Sequence, residues 1–357
     1  MFDVIIIGAG PAGTAAAVDL LQAGYNVLLL DRADFPRQKA CAGGLTPRSS
    51  RYLAYDVSGL VKRECRRVRI VPPEFGPFVI QSDRTLCCMV ERNELDAFLL
   101  EKAVEKGGRF QKIRRIRSID TSRDGVAVSA DGEVFKSSFL IGSDGAESKV
   151  RSLTREGPVP ERRFGAAADV PVQHPDRYMM EFDFSGKEKG YYWIFPKDDH
   201  VNIGIYSPFA RPGFLKQKLY DYAARRLSSR RLENLKGGFI STGGFRYRPL
   251  SSRVLLCGDA AGFAESLLGE GICFAVRSGQ LAASAIMESK ISGKSAGRLY
   301  RQKLKKIRNE LLIAHAGAKW FYSNQRSALK LLSFPFVHRH LAGIYADGSL
   351  LSDVFRL

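Results

Sequence analysis

Several features are scarce or missing in this 357-residue chain, and each absence removes a class of protein. There are only six cysteines, Cys41, Cys65, Cys87, Cys88, Cys257 and Cys273. They form no C-x-x-C pair and have no interleaved histidines, which excludes a zinc site or an iron–sulfur cluster, so no metal is expected. In a reducing compartment they stay as thiols. No apolar run is long enough to span a bilayer, and no basic leader or cleavage pattern precedes the first apolar run. The expectation is a cytoplasmic protein, or one peripheral to the inner face of a membrane. No internal repeat or low-complexity tract is visible. What remains is ordinary globular composition, 45% hydrophobic and 26% charged, in a chain long enough for two domains.

Negative charge is also short: 37 Asp and Glu stand against 55 Lys and Arg, a net charge of +18. Such a field attracts anionic lipid, nucleic acid or anionic substrate. The basic residues are not interleaved with a recognisable nucleic-acid module, so nucleic acid is not an expected partner. Many lie late, among them Lys290, Lys294, Arg298, Arg301, Lys303, Lys305, Lys306 and Arg308, with Leu299, Tyr300, Leu304, Ile307, Leu311 and Leu312 at near-helical spacing. Two readings stay open. The stretch is a basic amphipathic helix on an anionic membrane surface, or a helix with an ordinary solvated face.

The chain opens as strand, turn, helix and strand. Phe2 to Ile7 has the pattern of a buried strand, Thr14 to Gln22 forms helix, Gly24 ends it, and Val27 to Leu30 is a second strand with Asp31 at its end. Arg92 to Lys106 reads as a helix stopped by Gly107-Gly108. Asp131-Gly132 marks a hairpin within Val126–Leu140, and Phe139 to Gly142 is a buried strand. Tyr178–Phe184, Tyr191–Phe195 and Val201–Tyr206 alternate like antiparallel strands, Leu215–Leu227 is a helix, Val254–Cys257 a buried strand, and Gly271–Met287 a long helix.

Two glycine-rich turns carry the chemistry. Gly8, Gly10 and Gly13, with Pro11 and Ala12 between them, meet the G-x-G-x-x-G spacing directly after a strand. The first glycine allows the tight turn, the second lets backbone approach a pyrophosphate, and the third allows close helix–strand packing. Asp31 stands where an acid accepts from a ribose hydroxyl, and its carboxylate repels a 2′-phosphate, so this site is not expected to hold NADP. Far away, Gly258-Asp259 and Gly269-Glu270-Gly271-Ile272 form a second turn of this kind. It adds what a nicotinamide site lacks: an acid for a ribityl hydroxyl and helix amides that stabilise negative charge on a reduced flavin ring. Two such turns meeting on one long cofactor point to FAD.

With Gly142-Ser143-Asp144-Gly145-Ala146, these turns resemble the p-hydroxybenzoate hydroxylase-like class of FAD proteins. Pro36-Arg37-Gln38-Lys39-Ala40-Cys41-Ala42-Gly43-Gly44-Leu45, Tyr192-Trp193-Ile194-Phe195-Pro196-Lys197 and Gly269-Glu270-Gly271-Ile272 narrow the resemblance to the geranylgeranyl reductase family. The likeness runs from residue 2 to about residue 290 and more loosely beyond. It implies an α/β fold: a Rossmann-like FAD-binding domain with a parallel sheet (1–45, 80–155 and 246–290), an antiparallel β-sheet substrate domain (46–79 and 156–245) and a C-terminal helical region (291–357). It places Arg32, Lys39, Cys41, Ala42, Gly43, Asp144, Gly145, Gly269, Gly271 and Ile272 near the cofactor. It also matches Arg92, with Asp96 four residues on, to the family's Arg-x-x-x-Asp, an arginine for the FAD phosphates or ribose. Ala42, Ser266 and Leu268 depart from the usual pattern, which leaves the substrate class open.

The implied reaction is reduction of prenyl double bonds by reduced FAD. The prenyl chain is that of a geranylgeranyl lipid, a diphosphate or a quinone tail. An isolated alkene is a poor hydride acceptor, so the site must be dry, long and apolar, with a proton donor nearby. Tyr191, Tyr192, Trp193, Phe195 and Pro196 are the candidates for the apolar slot. Cys41 is either the proton donor or a small filler residue. No second nucleotide fingerprint exists, so the electron donor is NAD(P)H bound transiently or a redox carrier such as ferredoxin. Two rivals stand beside this reading. An FAD-dependent aromatic monooxygenase is disfavoured by Gly262, where hydroxylases place histidine, and the absence of Trp-x-Trp-x-Ile-Pro disfavours a halogenase. A non-catalytic prenyl-binding carrier would have no need of the FAD turns.

Overall fold

The structure, a computed structural model, describes residues 1–186, 189–208 and 212–349. The last residues of the expected C-terminal region, 350–357, lie outside this set. In chain order the elements are β1 (Phe2–Ile7), α1 (Pro11–Gln22), β2 (Val27–Asp31), β3 (Gly44–Leu45), α2 (Pro47–Tyr52), β4 (Val61–Cys65), β5 (Arg67–Val71), β6 (Phe78–Gln81), β7 (Cys87–Val90), α3 (Arg92–Glu105), β8 (Arg109–Lys112), β9 (Ile116–Thr121), β10 (Val126–Ala130) and β11 (Glu133–Gly142). They continue with α4 (Lys149–Thr154), β12 (Glu161–Pro171), β13 (Met180–Asp183), β14 (Tyr191–Pro196), β15 (His200–Ser207), α5 (Pro212–Leu227), β16 (Glu233–Thr242), β17 (Val254–Leu256), α6 (Ile272–Ser292), α7 (Ala296–Lys303), α8 (Lys305–Ser323), α9 (Gln325–Ser333) and α10 (Pro335–Ala346).

The two apolar runs near the N-terminus become the centre of a mixed sheet. Its order is β8-β2-β1-β11-β10-β9, with β17 beside the far half of β11. Strands β8, β2, β1, β11 and β17 run parallel, and β9 and β10 are antiparallel. The Asp-Gly hairpin forms as its residues dictate: Asp131 (φ 50°) and Gly132 (φ 90°) both take the left-handed backbone of a two-residue turn. Helix α1 begins at Pro11 rather than at Thr14, because a proline in the first turn gives up an amide that has no partner there anyway. Residue 254 returns the chain to this sheet after a long excursion, as β17 pairs with Leu140–Gly142.

The excursion builds a second seven-stranded sheet, β16-β12-β15-β14-β13-β5-β6. All its pairs are antiparallel except β13 with β5. The region 46–79 is divided: β5 and the start of β6 join this sheet, while β4 joins a small three-stranded sheet with β3 and β7. One face of the large sheet packs on α5 through Ile203, Leu215, Leu219 and Tyr222. The other carries Tyr191, Trp193, Phe195 and Tyr206 and is covered by Tyr322, Leu329 and Ala342 of the C-terminal helices.

The basic stretch after residue 290 is not a free amphipathic surface. Leu299, Tyr300, Leu304, Ile307 and Leu311 are buried in the core of the first sheet, and only Leu312 of that stripe faces solvent. Burying each such side chain is worth about 1.5–3 kcal/mol. The stripe therefore holds α7 and α8 against the body of the protein, and its apolar residues are not available to lie on a membrane.

Candidate active site

The two glycine turns meet where α1 and α6 begin. The helices lie so close that a side chain on Gly279 of α6 would come within 2.1 Å of the Ala12 carbonyl. Gly8 has φ +103°, and a Cβ there would sit 2.3 Å from the Ser143 carbonyl. One on Gly13 would sit 1.9 Å from the Gly8 carbonyl. Ser143 Oγ donates to the Ile7 and Gly8 carbonyls at 2.9 and 2.7 Å, which ties β11 to the turn. Asp31 closes it: its carboxylate accepts from Ala9 N at 2.7 Å and Ala33 N at 2.9 Å. Neither α1 nor α6 has a side-chain cap or an acid in its first turn, and their residues Gly10, Pro11, Ala12, Gly271 and Ile272 line one cavity. Two uncapped helix starts leave amides that want an anion.

Charge gathers opposite these amides. Asp96 accepts from Arg92 in a bidentate pair at 3.0 Å and from Arg37 at 2.7 Å. Arg92 and Asp96 are both buried, so Arg92 is no surface helix-start residue. Arg37 Nε is buried without a hydrogen-bond partner, and Arg37 Nη2 reaches to 2.9 Å from where a Gly10 Cβ would stand. A backbone cradle, two uncapped helix starts and an orphaned guanidinium nitrogen form a site that fits the diphosphate of FAD. Asp259 lines the same cavity, and burial pushes its carboxyl above the ordinary range against the pull of Lys39 and Arg92. Asp144 lines the wall, but its carboxylate caps α4, accepting from Ser148 Oγ and Lys149 N at 2.6 Å and from Val150 N at 3.1 Å. Recognition by Asp144 is therefore left to its backbone.

Cys41 stands in the cavity wall, half-buried, within the influence of the Arg92 guanidinium. Burial alone would raise its thiol, but Arg92, the Gly43 amide (N–Sγ 3.4 Å) and Lys39 outweigh it and hold the thiol below its ordinary value. The loop behind is fixed by a second charge group. Lys197, fully buried, donates to the Val90 carbonyl at 2.5 Å and lies against Gly43, where a Cβ would meet its Nζ at 2.7 Å. Lys197 also pairs with Glu91, which joins Asp169 and Asp199 around His200.

Beyond Cys41 the cavity turns apolar. Its volume of about 1530 Å³ exceeds the ~300–1,000 Å³ of an ordinary small-molecule pocket, leaving room beside a dinucleotide. Tyr191, Trp193 and Phe195 line it. Tyr192 and Pro196 do not, which corrects the expected five-residue slot. The pleat of β14 alternates faces, and Tyr192 stacks on Tyr222 of α5, ring centroids 4.3 Å apart, on the far side of the sheet. Trp193 lies flat over Gly204 of β15, whose Cβ would stand 1.9 Å from the indole, and its Nε1 donates to Asn202 at 2.9 Å. Three tyrosines hold the loop before Gly269: Tyr206 donates to the Ser266 carbonyl (3.1 Å), Tyr322 to the Leu267 carbonyl (2.6 Å) and Tyr191 to the Leu268 carbonyl. Ser266 Oγ meets His315 Nδ1 at 3.3 Å, and Leu268 packs on the aromatic face.

Of the other expected residues, Gly145, Gly258, Gly269, Arg32, Lys39 and Ala42 line the cavity, while Gly13 and Gly43 act from behind the wall through close packing. Sequence reasoning missed Tyr206 and, in α10, Leu341, Ile344 and Tyr345, all of which line the cavity, and it missed Tyr322, which holds the Leu267 carbonyl. It also missed Glu265, whose buried carboxylate accepts from the amides of Leu267, Leu268 and Glu270 at 2.7, 2.5 and 3.1 Å. Arg48, bonded to Glu270 and 3.2 Å from Glu310, was missed too. Only Glu270, inside the Gly-Glu-Gly segment, had a local signal.

Comparison with known proteins agrees with this arrangement. The family described as FAD binding domain matches residues 1–206. An uncharacterised protein of Methanosarcina barkeri is 36% identical over 90% of this chain and 84% of its own length. The geranylgeranyl diphosphate reductase of Rhodobacter capsulatus is 30% identical over 83% and 77%. Among solved structures, a geranylgeranyl bacteriochlorophyll reductase-like protein of Thermoplasma acidophilum superposes with a TM-score of 0.81 at 20% identity, over 99% of this chain and 95% of its own. A flavin-dependent brominase superposes at 0.72 and 18%, over 99% and 97%. At these identities the two structures speak for the fold alone.

Proposed function

The chain belongs to the geranylgeranyl reductase family of FAD-dependent oxidoreductases, and from that premise we propose that it saturates carbon–carbon double bonds of a prenyl chain. The observation that carries this reading is the continuity of one cavity from the diphosphate cradle at Gly8 and Gly10 to an apolar slot walled by Trp193, Phe195 and Tyr191. A dry slot walled by aromatic rings suits a hydrocarbon chain.

Reduced FAD, when bound, supplies the hydride. The protein has to bind the alkene, keep water out, and deliver a proton to the carbon that does not receive the hydride. Aromatic and aliphatic side chains do the first two tasks. Cys41 fits the third. Its lowered thiol parts with a proton more readily than an ordinary cysteine, and Arg92 stabilises the thiolate left behind. One hydride and one proton then account for the two hydrogens added.

Electrons would come from NAD(P)H or from an acidic carrier such as a ferredoxin. Arg114, Arg115, Arg117, Lys149, Arg155, Arg162 and Lys236 are exposed around the cavity and have no ion-pair partner among the described residues, which suits either anion. The reading is tested by mass analysis of prenyl substrates after single turnover: products heavier by whole hydrogen pairs support it, and unchanged prenyl chains contradict it.

A further inference from the structure

No helix among the described residues is long and apolar enough to cross a membrane, and the stripe once available for lying on one is buried. A different surface has the right chemistry. Residues 311–346 contain no aspartate or glutamate, but do contain Lys319, Arg326, Lys330 and Arg339. At the elbow between α9 and α10, Leu331 is 50% exposed, Phe334 54% and Phe336 83%. Pro335 between the two rings is exposed as well. Single exposed apolar residues are common, but such a run marks an interaction surface. The elbow is anchored from beneath, since Ala328, Leu329 and Ala342 are buried. Lys330 and Arg339 flank the tip without ion-pair partners among the described residues, whereas Arg326 is held by Glu74 at 2.7 Å.

The elbow also adjoins the apolar end of the cavity. Leu341 of α10 is 41% exposed and at the same time lines the cavity, and Ile344 and Tyr345 line it one turn further along. Phe336 of the surface tip and Leu341, Ile344 and Tyr345 of the cavity lining therefore share one helix.

We propose that the α9–α10 elbow docks on an anionic bilayer. Phe334, Phe336 and Leu331 enter the headgroup–acyl boundary and Lys330 and Arg339 rest on lipid phosphates. The cavity opens at Leu341 toward the membrane, so that a prenyl chain slides in without crossing water. A second copy of this chain is a poorer occupant: it would bring like charges together with no carboxylate in the stretch to pair them. Lateral entry rests on the prenyl-chain reading above; the docking itself does not.

The test uses the FAD-loaded full chain, sedimented with vesicles of phosphatidylcholine alone or mixed with phosphatidylglycerol. Wild type is expected to pellet with the mixed vesicles, more weakly at high salt. Phe334→Ser with Phe336→Ser should lower partitioning by roughly tenfold per ring, and Lys330→Glu with Arg339→Glu should abolish the preference for anionic vesicles. Flavin content and melting temperature equal to wild type certify that the variants fold. Wild type left in the supernatant with both vesicles at low salt, or a serine variant that pellets like wild type, overturns the proposal. So does a wild-type dimer in light scattering that the serine variant breaks, which would make the elbow a self-association surface. Sedimentation reads no turnover, so it stands apart from substrate identity. For lateral entry, the serine variant should lose turnover on vesicle-embedded prenyl lipid but keep it on detergent-dispersed lipid; equal loss on both, or no loss on either, contradicts it.

Discussion

Around Gly8 and Gly258 the cavity wall is backbone and buried charge, whereas around Trp193 it is side chain, and the two ends tolerate change differently. At the cofactor end the chain recognises its ligand with amides and glycine clearances of about 2 Å, where nothing can be added. At the apolar end the requirement is volume and dryness, which several residue types can meet. The first end specifies a cofactor, and the second leaves an apolar space beside it.

The contrast is broken most severely by Gly13→Val. Its Cβ would stand 1.9 Å from the Gly8 carbonyl, a backbone atom that cannot step aside. The purified variant should carry no flavin, read from its visible absorbance, and lose about 1–3 kcal/mol of stability in thermal melts. Next comes Cys41→Ser, at the junction of the two ends. Flavin content should stay unchanged while turnover falls by about a hundredfold, the usual scale for losing a positioned proton donor. Unchanged turnover and flavin reduction would remove Cys41 from the chemistry. In wild type, the alkylation rate of Cys41 should titrate below the ordinary thiol range and move up in Arg92→Met, since the guanidinium holds the thiolate.

A milder substitution sharpens the comparison from the other side. Trp193→Phe removes the hydrogen bond to Asn202 and some volume but keeps an apolar wall. Full flavin content with kcat/KM lower by about tenfold, or about 1.4 kcal/mol of transition-state binding, is expected in steady-state kinetics. The smallest effect should be at His200, behind both ends. Burial would lower its pKa, but the carboxylates of Asp169, Glu91 and Asp199 around the ring raise it from 6.5 to about 10. Because the folded value is the higher one, the stabilisation is complete below about pH 6.5 and is lost as pH rises through about 10. The melting temperature of wild type should exceed that of His200→Gln near pH 6, with a gap that closes by alkaline pH.

The same contrast explains what could be read from the sequence. The strand–turn–helix around Gly8 and the second turn around Gly258 are contiguous, and each glycine answers a local clash, so they were legible one segment at a time. The apolar end is assembled across the chain. The alternation that sends Tyr192 to α5 and Trp193 to the cavity depends on which face of β14 is covered, and that depends on α5 and α9. The tyrosine sling under Ser266–Leu268 draws on β14, β15 and α8. The stripe Leu299–Leu311 shows the same limit: its periodicity was plain, but what it packs against lies far away in sequence.

The central claim is that one cavity joins FAD to a prenyl double bond, and an anaerobic titration tests it most directly. The FAD-loaded protein is reduced with dithionite, and geranylgeranyl diphosphate or a menaquinone is added without oxygen. Return of the oxidised flavin spectrum, with a product heavier by whole hydrogen pairs on the prenyl chain and not merely on a quinone ring, is the predicted result. A flavin that stays reduced with these lipids, yet reoxidises in air while hydroxylating its substrate, would contradict the account.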